Sequence, residues 1–125
     1  MPTTLRMFVP AAIRAVMDRL TLRVEAKTGV RLIQEVELNP LIPDRIRAGE
    51  PYEIGLTNPS YAKALIDDGF ADGGSHRAFG RVSLAVARKG GAPGQIIADS
   101  HGIEALLRSA KSIAHTGAGT SGRTY

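Results

Sequence analysis

The sequence contains no cysteine and no tryptophan. The absence of cysteine excludes disulfides, thiolate metal sites and cysteine nucleophiles. Three phenylalanines and three tyrosines are the only aromatic residues, so the chain offers few platforms on which nucleic-acid bases or sugars could stack. No run of about 18 apolar residues occurs, and the sequence therefore predicts no membrane-spanning helix.

The charge balance is weakly basic, with 16 Lys and Arg against 12 Asp and Glu. These basic residues are scattered along the chain and do not form the stripe that is typical of nucleic-acid binders, so we expect no nucleic-acid partner. The length of 125 residues and the 43% hydrophobic content are typical of one globular domain. The first ten residues are interrupted by Arg6 and do not read as a signal peptide. We therefore expect a periplasmic location if a leader was removed, and a cytoplasmic one otherwise.

Segments in which apolar residues have the period of a strand alternate along the chain with segments in which they have the period of a helix. Leu5 to Val9 reads as a strand, the apolar face from Ile13 to Val24 as a helix closed by Gly29, and Val30 to Val36 as a second strand. The same alternation continues to the end of the sequence. The further predicted elements are a short helix that has Pro43 in its first turn and is completed by 46–48, a strand at 52–57, a helix at 59–68, a strand at 81–87, a helix face at 103–110 and a terminal strand at 113–114.

This alternation predicts an α/β fold, a three-layer and mostly parallel sheet with helices on both faces. Ligands of such sheets bind at the carboxyl ends of the strands. Those ends are the turn from Pro10 to Ala12, the Asn39-Pro40 turn, the Thr57-Asn58 turn and the terminal glycine loop. Asn58 followed by Pro59 also predicts a helix start, with the Asn side chain as cap.

The terminal glycine loop is Gly117-Ala-Gly-Thr-Ser-Gly122. Its three glycines would let the backbone approach a ligand closely, and Thr120, Ser121 and Gly122 have the composition of an anion cradle at a helix start. The same residues fit the dinucleotide pattern GxGxxG, although no acidic residue follows. A nucleotide-using enzyme is therefore an alternative interpretation of this loop.

Signatures of catalysis are missing. The sequence has no G-x-S-x-G nucleophile elbow, and its three histidines, His76, His101 and His115, do not follow the H-E-x-x-H pattern. We therefore predict a protein that is not an enzyme, with no metal site and no cofactor.

Five segments together resemble the molybdate-binding family of ABC-transporter solute-binding proteins. They are Leu5–Met17, Glu25–Val30, Arg45–Thr57, Gly80–Val86 and Ala110–Arg123. The order of elements agrees throughout, and the likeness covers nearly all of this chain but only about half of a family member.

The resemblance implies a periplasmic-binding-protein-like fold in which two α/β lobes close on a ligand. Residues 1–80 would form the first lobe, and residues 81–125 a crossover strand and part of a second lobe. Two turns of this sequence differ from those of the family. Where the molybdate binders have a serine in the first turn and a Ser-Gly pair in the second, this sequence has Ala12 and Asn39-Pro40. At about 1.5 to 3 kcal/mol per charge-assisted hydrogen bond, the loss of two hydroxyl donors argues against molybdate itself.

The resemblance implies capture of a small anionic ligand, an oxyanion or a carboxylate, for an ABC permease. A cytoplasmic effector-binding or sensor module on the same scaffold is the alternative. The expected ligand-binding residues are Ala11 and Ala12 through their backbone, Asn39, Thr57 and Asn58, and the cradle of Thr120, Ser121 and Gly122.

A second lobe that ended at Tyr125 would leave the apolar residues of its helix and strand poorly covered. We therefore expect self-association through this region, unless the native protein continues beyond residue 125. The residues concerned are Ile103, Leu106, Leu107 and Ile113.

Overall fold

A computed structural model of the chain describes residues 1–81, 83, 85–90 and 97–120. Strands and helices alternate along it, as the sequence predicts. None of the helices within these ranges is long and apolar enough to cross a membrane. The elements are β1 (Thr4–Pro10), a 3-10 turn (Ala11–Ile13), α1 (Arg14–Thr28), β2 (Arg31–Glu37), a 3-10 turn (Asn39–Leu41), α2 (Ile42–Arg47), β3 (Ile54–Gly55), α3 (Pro59–Asp67), a 3-10 turn (Gly73–Ser75) and α4 (Ser100–Ser109).

The three strands form a parallel sheet in the order β2-β1-β3. Met7 in the central strand lies opposite Gln34 on one side and Ile54 on the other. β3 is shorter than the strand predicted at 52–57, but its pairing extends beyond the assigned residues. The Glu53 amide donates to the Arg6 carbonyl and the Leu56 amide to the Phe8 carbonyl, each at 3.0 Å.

The central strand buries side chains on both of its faces. Phe8 packs with Ile42 and Ile46 of α2 and with Leu65 of α3. Its neighbours Met7 and Val9 point the other way, because successive side chains of a strand alternate, and pack with Met17 of α1. The strand is therefore the common wall of two apolar clusters.

Local sequence signals at the helix ends are confirmed. Gly29 adopts φ = 71° as the cap of α1, a left-handed conformation that glycine accepts without steric cost. Pro43 and Pro59 lie in the first turns of α2 and α3, where a missing N–H costs nothing. α4 (Ser100–Ser109) covers the helix face predicted at 103–110, and the Asp99 side chain caps it by accepting from the Gly102 amide.

Two predicted strands are absent from the residues that can be described. Residues 81, 83 and 85–87 are exposed and carry no strand assignment, while Val82 and Leu84 lie outside the described ranges. Ile113 and Ala114 are also exposed and unassigned. An alternating pattern becomes a strand only where a neighbouring edge can pair with it, and the described sheet consists of β2, β1 and β3 alone.

Arg45 of α2 joins this helix to the sheet. Its guanidinium donates to both carboxylate oxygens of Glu50, at 2.6 to 3.0 Å, and lies within 3.7 Å of Glu35 and Glu37 of β2. The guanidinium carbon also lies 4.8 Å from the centre of the Phe8 ring, which is a cation–π contact. The hydrogen bonds from Arg45 hold the pKa of Glu50 below its ordinary value, against the opposing effect of partial desolvation.

Glu50→Gln should make folding less dependent on pH in the acid range. Because the folded-state pKa of Glu50 is lowered, its contribution to stability is present above the unfolded pKa and is lost as the pH falls through the folded one. We expect the variant to be less stable than wild type at pH 7 and to lose less stability between pH 7 and pH 3, as measured by urea unfolding. Asp67→Asn is the control, because Asp67 forms only an exposed ion pair with Lys63 one helical turn away. Equal pH dependence in wild type and Glu50→Gln would contradict the prediction.

Candidate functional site

The carboxyl ends of the three parallel strands meet at one edge of the sheet. β1 ends at Pro10, β2 at Glu37 and β3 at Gly55, and Pro10 lies directly opposite Glu37 in the sheet register. The turns that follow these strands are therefore neighbours in space. This edge is where ligands bind in open α/β sheets.

Asn39, Thr57 and Asn58 form a hydrogen-bonded group at this edge, which we call the asparagine cluster. The Asn39 side-chain oxygen accepts from the Thr57 hydroxyl at 2.6 Å and from the Asn58 amide at 3.3 Å. The Asn39 side-chain nitrogen donates to the Asn58 side-chain oxygen at 2.6 Å. Asn39 is buried, with 7% of its surface exposed, so these bonds form in a site partly shielded from water.

The role of Asn58 differs from the one that the sequence predicts. Its backbone has the extended conformation of a helix cap, and Pro59 follows in the first turn of α3, but its side chain makes no capping hydrogen bond. The side chain turns instead to the amide of Asn39. The physical reason is competition, because the buried Asn39 amide must be hydrogen-bonded, whereas water can satisfy the partly exposed helix start.

The turn Gly117–Thr120, which we call the glycine turn, lies against the same edge. The Tyr61 hydroxyl of α3 donates to the Gly119 carbonyl at 2.9 Å. A Cβ atom placed on Gly119 would lie 3.2 Å from Cβ of Pro40, the residue that follows Asn39. Within the turn, the Thr120 hydroxyl donates to the Gly117 carbonyl at 2.7 Å. Gly119 thus meets Pro40 and Tyr61, two residues from distant parts of the chain, beside the asparagine cluster.

The structure brings part of the predicted site together. Asn39, Thr57 and Asn58 are in direct contact, and Thr120 is carried to the same edge by the glycine turn. Ala11 and Ala12 lie in the exposed 3-10 turn that follows β1, at the same edge but without a described contact to the cluster. Ser121 and Gly122 of the predicted cradle lie outside the described residues.

Tyr61 is a part of this edge that the sequence analysis does not identify. Tyr61 lies three residues after Asn58, which places it on the face of α3 that is shared with the cap position. That spacing is the one signal in the sequence that could have identified it. The partner of Tyr61 is 58 residues further along the chain, and no local pattern predicts such a pairing.

The chemistry of the asparagine cluster and the glycine turn is that of neutral donors and acceptors. Their described side chains offer amides and hydroxyls, and turns add backbone N–H groups. Within the described ranges, no group of three or more His, Cys, Asp or Glu residues is placed to hold a metal ion. The edge can therefore bind a small polar ligand by hydrogen bonds.

A concave feature lies beside α1, and no residue of the asparagine cluster lines it. It is an apolar groove of about 350 Å³. Side chains of α1 form one wall and those of the sheet another. The lining includes Leu5, Met7, Leu20, Val24, Leu32 and Phe79.

Parallel strands, helices between them and a polar cluster at the carboxyl edge define a ligand-binding α/β domain. The family profile described as bacterial extracellular solute-binding protein matches residues 5–124, which is nearly the whole chain. The chain therefore belongs to this family, and its membership favours a binding role and a location outside the cytoplasm. The family match does not show a specificity for molybdate. Comparisons with curated proteins and with solved structures gave no match.

Asn39→Ala should destabilise the protein by about 1 to 3 kcal/mol, because it removes the acceptor of the Thr57 hydroxyl and the donor to the Asn58 side chain in a buried setting. Urea unfolding measures the loss. Ser109→Ala is the control, since the Ser109 hydroxyl bonds the Leu106 carbonyl on an exposed helix end and its removal should cost less than about 0.5 kcal/mol. Equal stability of Asn39→Ala and wild type would show that the cluster contributes nothing to folding.

Proposed function

We propose that this chain captures a small anionic ligand, an oxyanion or a carboxylate, at the edge formed by the asparagine cluster and the glycine turn, and delivers it to an ABC permease from the periplasm. The observation that carries the proposal is the convergence of two distant segments, around Asn39 and Gly119, at the carboxyl edge of a parallel sheet. Membership in a solute-binding family supports it.

The proposed architecture is that of a periplasmic binding protein. Residues 1–80 would form a first lobe in which helices cover both faces of the sheet, and residues 81–125 a crossover and part of a second lobe. Two packing clusters on opposite faces of β1 support the first part of this assignment. The contact between Tyr61 and Gly119 supports the second, because it joins the two proposed segments at one edge.

Binding would rest on hydrogen bonds from neutral groups. In the proposed site, backbone amides at Ala11 and Ala12 and side chains of Asn39, Thr57 and Asn58 contact the ligand from one side. Thr120, together with Ser121 and Gly122, contacts it from the other. Neutral donors in a partly dry site select an anion by size and by the number of acceptor oxygens, since each unmatched donor costs about 1 to 3 kcal/mol.

Two other functions have less support. A cytoplasmic sensor on the same scaffold agrees less well with a family of extracellular proteins. A nucleotide-using enzyme is supported only by the GxGxxG pattern of the glycine loop, which is a weak signal by itself. The family also favours binding without catalysis.

A second part of the proposal is self-association with another copy of this chain. The sequence predicts it through Ile103, Leu106, Leu107 and Ile113, and we extend it to the apolar groove beside α1. The apolar groove and several exposed apolar side chains would then be covered by the partner copy, because contiguous apolar surface is seldom left in water. Phe79, which lines the groove, is 51% exposed, and Ile113, which follows α4, is 56% exposed.

The ligand proposal predicts stabilisation by the correct anion. In a thermal-shift screen with sulfate, molybdate, acetate, succinate and ATP, one class of anion at about 100 times its dissociation constant should add about 2.7 kcal/mol to the stability. The double variant Thr120→Ala/Ser121→Ala should lose this gain. Thr28→Ala, which removes an exposed hydroxyl at the far end of α1, should retain it. A folded wild-type protein that none of these anions stabilises would contradict the proposal, and stabilisation by ATP alone would favour the nucleotide alternative.

Self-association predicts that mass in solution depends on concentration. Sedimentation velocity should show a species heavier than the 13.3 kDa chain, and Phe79→Glu should shift the population to the monomer. Leu22→Glu is the matched control, because Leu22 is 68% exposed on α1 and does not line the groove. A wild-type chain that is monomeric at all concentrations, or equal effects of the two variants, would count against a partner copy in the groove.

A further inference from the structure

The glycine turn touches the rest of the molecule at a defined point. Residues 111–118 are exposed, whereas Gly119 and Thr120 are partly buried. The burial coincides with the hydrogen bond from the Tyr61 hydroxyl to the Gly119 carbonyl. An otherwise exposed segment therefore contacts α3 at this bond.

Gly119 is required at this point for two independent reasons. Its φ of 77° lies in the left-handed region that side-chain-bearing residues rarely adopt. A Cβ atom would in addition lie 2.8 Å from the Tyr61 hydroxyl oxygen and 3.2 Å from Cβ of Pro40, both closer than ordinary contact. Only a residue without a side chain lets the backbone reach Tyr61 in this conformation.

The two contacts of Gly119 flank the asparagine cluster. Pro40 directly follows Asn39, and Tyr61 lies one helical turn after Asn58. The position of the glycine turn relative to the cluster is therefore set by Tyr61 and Pro40. The hydroxyl of Tyr61 supplies the directional part of this contact, since a hydrogen bond constrains angle as well as distance.

We propose that Tyr61 is the positioning residue that docks the glycine turn onto the asparagine cluster, so that Thr120 faces the same ligand as Asn39 and Asn58. Its part in ligand capture rests on the proposed function, but the docking contact itself does not. Tyr61 acts indirectly, because it holds the glycine turn in a fixed position relative to the asparagine cluster.

The test measures docking in the absence of ligand. Because the chain has no cysteine, Ala26→Cys on α1 and Ala118→Cys in the turn can carry one pair of spin labels, both at exposed alanines. Pulsed electron-spin distance measurements on this labelled chain should give one narrow distance. Tyr61→Phe, which keeps the ring and removes the hydroxyl, should convert part of the population to a broad distribution. The docking equilibrium should fall by about 2- to 12-fold, the range for one neutral hydrogen bond.

Two further variants separate docking from general stability. Tyr52→Phe is the matched control, since the Tyr52 hydroxyl also donates to a backbone carbonyl, that of Phe70, at 2.6 Å but far along the chain from the turn. It should leave the narrow distance unchanged. Gly119→Ala should also release the turn. The double variant Gly119→Ala/Tyr61→Phe should release it little further than either single change, because both changes remove the same contact.

A broad distance distribution in the wild-type chain, or the same distribution in Tyr61→Phe and wild type, would overturn the assignment of Tyr61. If one anion of the thermal-shift screen stabilises the protein, its dissociation should be faster in Tyr61→Phe and unchanged in Tyr52→Phe, which would support the assignment. A docked turn in a protein that no anion stabilises would support the docking contact and contradict the proposed function, so the two failures are distinguishable.

Discussion

The parallel pairing of β1 with both of its neighbours is the constraint on which the rest of the structure depends. It buries Phe8 on one face and Val9 on the other, and these contacts place α1, α2 and α3 around the strand. It also brings three strand ends to a common edge, so that Asn39 and Asn58, which are 19 residues apart, come within hydrogen-bonding distance. Without this register the polar residues of the site would remain separate turns.

Much of the first half of the fold could be predicted because its signals are local. The period of the apolar residues predicts β1, α1 and β2, and Gly29 and Pro59 mark helix ends for reasons intrinsic to glycine and proline. The strand expected at 81–87 could not be decided in this way, since alternation says nothing about whether a partner edge is present. The composition of residues 117–122 predicts a cradle, but it does not predict the contact between Gly119 and the distant residue Tyr61.

The carboxyl edge shows how turns from separate parts of the chain hold one another in place. Pro40 lies next to Gly119, and Asn39 is the centre of a cluster that includes the Thr57 hydroxyl. The donors at this edge are thus held by one another, which lowers the entropy that a ligand would have to remove when it binds. A site of this kind favours a ligand that fits the existing arrangement over one that would reshape it.

Two asparagines of the cluster are also protected against one common route of deamidation. Asparagine commonly loses its amide when the backbone nitrogen of the next residue attacks the side-chain carbonyl and closes a cyclic imide. Asn39 and Asn58 are each followed by proline, Pro40 and Pro59, whose nitrogen carries no hydrogen and cannot close that ring. Conversion of either asparagine to aspartate would place a negative charge where an anionic ligand is proposed to bind. The two Asn-Pro pairs block this route to charge, and the asparagine cluster can keep its neutral side chains.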